Sequence, residues 1–220
     1  MGWVEFAAAY AVFLLAHMIP VRPGVRGRLV GLFGASGFTM AYSVLSLALL
    51  YWLVLAAGRA PFVPVWPWAP WQNHVVLATM LAVCLLLALS LGRPNPFSFG
   101  GSGNHRYDPA RPGIVALTRH PILDALALWA LAHLFANGDL AHVLMFGGFA
   151  GFALLGRRMI DRRKRRTIGE ARTSLQPKKT EALGLLEDPG SLVLRSSAGI
   201  AAYILLLVLH APLIGVDPLP

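Results

Sequence analysis

Charged side chains are scarce in this chain: Asp, Glu, Lys and Arg make up 13% of its 220 residues, while 56% are hydrophobic. A water-soluble domain carries about 25% charged residues, so the composition excludes an ordinary soluble enzyme and points to a membrane protein. Cysteine is almost absent. The one residue, Cys84, lies in an apolar run, which excludes an intramolecular disulfide and any paired-cysteine zinc, iron–sulfur or redox site. Phosphate loops of the GxGxxG or Walker type are missing. No internal repeat marks an inverted-repeat transporter. Acidic residues number 10 against 19 basic ones, but the net charge of +9 is concentrated in a few loops. That distribution speaks to membrane topology, and no nucleic-acid partner is expected.

What the chain does contain is apolar sequence in long blocks. Residues 4–19, 38–57, 74–91, 121–136, 140–155 and 192–214 are each close to the ~20 residues that span a bilayer as a helix. They predict an all-α integral membrane protein, one domain over residues 1–220 folded as a six-transmembrane-helix bundle. The first block is flanked by Trp3 and Glu5 before it and Arg22, Arg26 and Arg28 after it, with no basic leader. It reads as a retained span rather than a signal peptide. All of the 19 Lys and Arg residues except Arg59 fall in or beside the connections after the first, third and fifth spans. By the positive-inside rule those connections are cytoplasmic and both termini periplasmic, as in a multi-pass protein of a bacterial inner membrane.

The connections differ in kind. Residues 61–71 are rich in Pro and Trp, which suits an anchor at the outer lipid interface. Residues 92–119 form a long Gly- and Pro-rich stretch leading into Arg119-His120-Pro121, and a loop of that length reads as functional. Phe146-Gly-Gly-Phe-Ala-Gly151 offers small residues for close helix packing. The basic run from Arg157 to Arg166 reads as a stop-transfer signal and an anchor on anionic membrane lipids. Residues 167–189 read as a mixed-charge surface segment.

Seven histidines carry most of the chemical potential: His17, His74, His105, His120, His133, His142 and His210. His74 and His105 read as solvated, and His142 and His210 as polar residues towards the outer ends of their spans. His17 and His133 are flanked by apolar sequence, where an ionisable group is expensive and usually functional. Two such imidazoles can ligate haem iron, and they can equally serve as polar packing contacts. Trp129 lies four residues before His133 on the same helix face. His120 shares a face with Asp124, so with Arg119 it forms a candidate catalytic group near the cytoplasmic surface. His120 and His133 lie about 140° apart around a helix, which predicts two sites rather than one.

Several of these segments together resemble the NnrU family of bacterial membrane proteins. They are Gly92-Arg-Pro-Asn-Pro-Phe-Ser98, Arg111-Pro-Gly-Ile-Val-Ala-Leu-Thr-Arg-His-Pro121, Leu128-Trp-Ala-Leu-Ala-His133 with its continuation to Leu140, Asp161-Arg-Arg-Lys-Arg-Arg166 and His210-Ala-Pro-Leu-Ile-Gly-Val216. The resemblance covers essentially the whole chain. It implies a link to denitrification, through the expression or function of nitrite and nitric oxide reductases. The same family holds the 15-cis-zeta-carotene isomerase, which carries haem b on histidines. That likeness implies haem b on His17 and His133, and redox or isomerisation chemistry on a lipophilic small molecule such as a carotenoid. The isomerase has an exchangeable cysteine ligand three residues before its second histidine, where this chain has Ala130. A second resemblance is to isoprenylcysteine-type membrane methyltransferases, through Thr118-Arg-His-Pro121 and Glu170-Ala-Arg172. It implies S-adenosylmethionine held at the cytoplasmic face.

Overall fold

The structure is a computed structural model that describes residues 2–99, 102–169, 174–175 and 189–219. Among the described residues six α-helices carry the fold: α1 Gly2–Met18, α2 Pro23–Arg59, α3 Pro70–Ser90, α4 Pro121–Ala136, α5 Leu140–Ile168 and α6 Pro189–Ile214. No β-strand occurs among the described residues, and the one β-bridge pairs Pro64 with Asp139. Four of the helices, α2, α3, α5 and α6, are long and apolar enough to cross a membrane. α1 and α4 are shorter apolar helices of 17 and 16 residues. Large apolar side chains such as Leu205 and Val208 remain exposed, which suits a lipid solvent.

Helix boundaries follow from local chemistry. Proline stands at the first helical position of α2, α3 and α4, where its missing N–H costs nothing. Asp139 caps α5: its carboxylate accepts from the His142 backbone N–H at 3.3 Å and pairs with the His142 ring at 2.6 Å. At the start of α3, Gln72 accepts from the Ala69 N–H at 2.6 Å and donates to the Phe135 carbonyl at 2.9 Å. One amide thereby caps α3 and ties it to the end of α4.

Two elements differ from the sequence expectation. The basic connection after α1 is not a loop, because α2 already begins at Pro23 and carries Arg26 and Arg28. The connection is reduced to a short turn in which the Arg22 N–H donates to the Ile19 carbonyl, and a separate break inside α2 falls at Gly34, whose φ of 71° and ψ of 166° leave the helical path. α5 also runs on through the basic run to Ile168, since Arg and Lys are good helix formers. The mixed-charge segment expected over residues 167–189 lies largely outside the described residues, as do Gly100 and Gly101.

The chain divides into two compact units. The first comprises residues 1–67 and 138–145. Here α1 packs on α2 around Phe6, Ala9, Leu53 and Ala56. A Cβ on Gly2 would lie 2.3 Å from the Arg59 carbonyl, so glycine permits that approach. Glu5 and Arg59 pair at 2.9 Å with both side chains well exposed, a contact worth about 0–1 kcal/mol. In the same unit the Pro- and Trp-rich segment is stitched to the turn before α5, with Val65 and Trp66 donating to the Gly138 carbonyl at 2.7 and 3.2 Å.

The second unit comprises residues 68–137 and 146–220, with α3 packed against both α4 and α6. Gly199 lets α6 close onto α3, within 3.1 Å of Cys84 backbone and Ala88 side-chain atoms for a built Cβ. Arg195 donates to the Ala88 and Leu91 carbonyls, each at 2.9 Å, and so satisfies the open end of α3. Phe97, Ile114 and Val115 form a small core under the long connection, with Leu86, Leu89 and Tyr107 packed against it. That stretch is thus folded on its own apolar anchor.

A Cβ on Gly138 would stand 2.0 Å from the Trp66 carbonyl oxygen, a contact that only backbone movement relieves. Gly138→Ala is expected to lower stability by about 1–3 kcal/mol. A thermal melt in mild detergent checks this, and an unchanged Tm would refute the close packing.

Candidate functional site

Two groups of chemically capable residues stand apart within the second unit. The first is polar and sits where the long connection enters α4. His120 is the residue before α4 and only 2% exposed. Its Nε2 faces Asp161 Oδ1 of α5 at 3.4 Å, and its Nδ1 lies 3.1 Å from Ser98 Oγ. A carboxylate can only accept, so Asp161 favours a hydrogen on Nε2, and with it there Nδ1 accepts from the Ser98 hydroxyl. Arg119 approaches the other Asp161 oxygen at 3.8 Å. Asn95 fixes the connection from beneath: its side chain donates to the Arg119 carbonyl at 3.0 Å and accepts from the Phe97 N–H at 3.0 Å.

Asp124 has different partners from the one its i+4 spacing suggested. Its carboxylate receives the Thr118 hydroxyl and pairs with Arg157 of α5 at 2.8 Å. The His–carboxylate pair at this surface is therefore His120–Asp161, and Asp124 belongs to a second ion pair one helical turn away. Each acid of the pair of helices holds a base of the other. Ser98, Asn95 and Asp161 were not singled out from the sequence. Asp161 did carry a signal, as the only acid within the run Arg157 to Arg166.

The second group is aromatic and surrounds His133. Its Nδ1 donates to the Trp129 carbonyl at 2.8 Å, one turn back on α4. The Trp129 and Phe146 rings lie 5.5 and 5.2 Å from the imidazole, and Phe149 stacks on Trp129 at 5.6 Å. Asn137 caps the His133 carbonyl through both its side chain and its backbone N–H. In the first unit His17 is built the same way. Its Nδ1 donates to the Phe13 carbonyl at 2.7 Å, with the Phe13 ring at 4.1 Å and Tyr42 at 5.8 Å.

This geometry has a chemical consequence. A backbone carbonyl accepts only, so in both residues Nδ1 bears the hydrogen and Nε2 keeps its lone pair. That is the tautomer an imidazole needs to bind iron, with the carbonyl fixing ring orientation from behind. The donor chemistry and the apolar, aromatic surroundings of His133 fit haem b. Among the described residues, no group of three or more His, Cys, Asp or Glu is arranged for a bare metal ion. Cys84, which lies on α3, leaves position 130 without a sulfur donor, and Ala130 there is fully buried.

Burial pushes the His120 imidazole below its ordinary pKa of 6.5, with Asp161 pulling the other way and Arg157 and Arg119 adding to the depression. An unfolded chain then takes the proton first as pH falls. This part of the stability is complete above 6.5 and is lost as pH drops towards the lowered value of the folded state. Acidification from about pH 7.5 to 5.5 is expected to lower the wild-type Tm, and His120→Gln to flatten that slope. Equal slopes in thermal melts of the two proteins would show that His120 is not the responsible group.

The model of the family described as NnrU protein matches residues 5–218 of the chain. No curated protein matches it, and no solved structure does. Of the methyltransferase-like features, Glu170-Ala-Arg172 lies outside the described residues. Leu123, two residues after Pro121 of the other feature, is buried against Ala127, Ala153 and Ile160.

Proposed function

This chain belongs to the NnrU protein family, and we propose that it is a six-span protein of a bacterial inner membrane that carries haem b and serves nitrite and nitric oxide reduction. One observation carries the haem reading: His133 and His17 each commit Nδ1 to the carbonyl one turn back and leave Nε2 as a donor in apolar surroundings. The family resemblance implies iron on those two residues, and Trp129 is a ring neighbour of His133. When bound, haem b supplies a one-electron iron couple and affinity for nitric oxide. The chain's own contribution is to orient the imidazoles and exclude water. Trp129, Phe146 and Phe149 form the dry packing that does so around His133.

Ala130 weighs between the two branches that the family resemblance offers. A carotenoid isomerase of this kind exchanges a cysteine ligand at that position. Here the position is a buried methyl group, and the only cysteine lies on another helix. Denitrification is therefore favoured over isomerisation. In the six-span topology α1 and α4 cross as short helices, with both termini periplasmic and the basic end of α5 cytoplasmic.

Protein purified in mild detergent, with haem supplied during expression, is expected to show a Soret band and about one haem per chain by pyridine haemochrome. His133→Ala and His17→Ala should each remove most of it while leaving the helical circular dichroism unchanged. In a deletion strain grown on nitrite, wild type should restore nitric oxide reduction and His133→Ala should not. A folded, colourless wild type would end the haem reading, and a haem-replete variant would reassign the ligand.

A further inference from the structure

The outward face of α5 carries a feature that the haem reading does not use. Arg162, Arg163 and Arg166, with Met159 and Thr167, line a surface cavity of about 370 Å³. Helical periodicity places Phe152, Leu155, Met159, Arg162, Arg163 and Arg166 within roughly 100° of arc, on one side of α5. Phe152, Leu155 and Met159 are 51%, 57% and 69% exposed, so this side is a continuous uncovered stripe. Its upper part is apolar and its lower end holds three guanidinium groups. Arg157 and Asp161 lie on the opposite side of the same helix, engaged by Asp124 and by Arg119 and His120. Among the described residues the charges of α5 are thus sorted by face, with the paired carboxylates, Asp124 and Asp161, on the side away from the cavity.

We propose that this face is a binding site for an anionic phospholipid, whose phosphate is held by the guanidinium groups of Arg162, Arg163 and Arg166 and whose acyl chain enters the cavity between their stems and lies along Met159, Leu155 and Phe152. The proposal rests on α5 being one of the membrane-crossing helices, and not on haem. Guanidinium groups suit the recognition because they offer paired N–H donors in a fork that matches phosphate oxygens. The apolar stripe running straight into the cavity selects a lipid over a soluble phosphate, since a free ion leaves that stripe without a partner. A zwitterionic lipid fills the stripe equally well but brings its own cation to the arginines, so the net charge of the headgroup is what the site reads.

The test is native mass spectrometry of the full chain in mild detergent, titrated with phosphatidylglycerol, with phosphatidylcholine and with inorganic phosphate. One retained phosphatidylglycerol is expected, bound at least about tenfold tighter than phosphatidylcholine. Replacing Arg162, Arg163 and Arg166 together by Gln should bring the two lipids to equal affinity. Replacing Lys164 and Arg165 by Gln, at positions outside the stripe, should leave the preference in place. Met159→Asn should weaken both lipids alike. Inorganic phosphate should not displace the lipid. Equal affinities in the wild type, or an unchanged preference in the triple variant, would overturn the proposal. So would an equal loss in the Lys164/Arg165 variant, which would mean diffuse attraction, or full displacement by inorganic phosphate, which would mean a soluble anion site. The wild-type comparison stands even if a variant fails to fold.

Discussion

A carboxylate carried into the packing between two apolar helices must bring its cation with it, because an unpaired charge there costs several kcal/mol. The second unit depends on that constraint. Asp124 of α4 is held by Arg157 of α5, and Asp161 of α5 faces His120 and Arg119 at the entrance to α4. The pairs run in opposite senses, an acid from each helix to a base from the other. Two such links fix both the rotation and the axial position of α5 against α4, which the smooth apolar contacts around Leu123, Ala127 and Ala153 could not do alone. The connection before α4 is fixed by the same group, since Ser98 and Asn95 bond the His120 ring and the Arg119 carbonyl. Its apolar core of Phe97, Ile114 and Val115 then has a defined place to pack.

The histidines divide by how their two nitrogens are used. His17, His133 and His210 each give Nδ1 to a backbone carbonyl, at 2.7, 2.8 and 2.7 Å. In an apolar medium this is the cheapest way to satisfy one nitrogen, and it fixes the tautomer of the other. His120 spends both nitrogens on side chains, Ser98 and Asp161. His142 is absorbed by the cap that starts α5. An imidazole of the first kind is available to a ligand. One of the second kind would have to break a buried contact first, and in this structure His120 fastens the long connection to α5.

The sequence was most legible where punctuation is local. α4 runs from Pro121 to Ala136, the bounds read from its opening proline and the Asn137-Gly138 turn. Apolar length likewise located the cores of the other helices. What escaped was of two kinds. The end of α5, which runs past the apolar block to Ile168, is set by the helix propensity of its Arg and Lys, to which hydropathy is blind, and the start of α2 at Pro23 lies in a glycine-rich stretch that neither hydropathy nor propensity marks as helix. Partners across helices escaped because periodicity reports only neighbours on one helix. The spacing of His120 and Asp124 offered an i+4 pair, and the better partner for each was on α5. The group at His133 was legible through Trp129 alone, since Phe146 and Phe149 arrive from the next helix.

The basic run of α5 shows why counting charges in sequence understates what they do. As a string, Arg157 to Arg166 is a stop-transfer signal and nothing in its composition distinguishes one arginine from another. Wound into a helix, it separates. Arg157 lies inward with Asp161 and closes an ion pair that sets helix rotation, and that rotation in turn decides which residues face out. Arg162, Arg163 and Arg166 are outward because Arg157 and Asp161 are inward, and the exposed apolar stripe above them follows from the same geometry. The inward pairs and the outward arginines are therefore two faces of one solution. Among the described residues of this packing, Asp124 and Asp161 pair on the inward side of α5 and leave Arg162, Arg163 and Arg166 on the outward side.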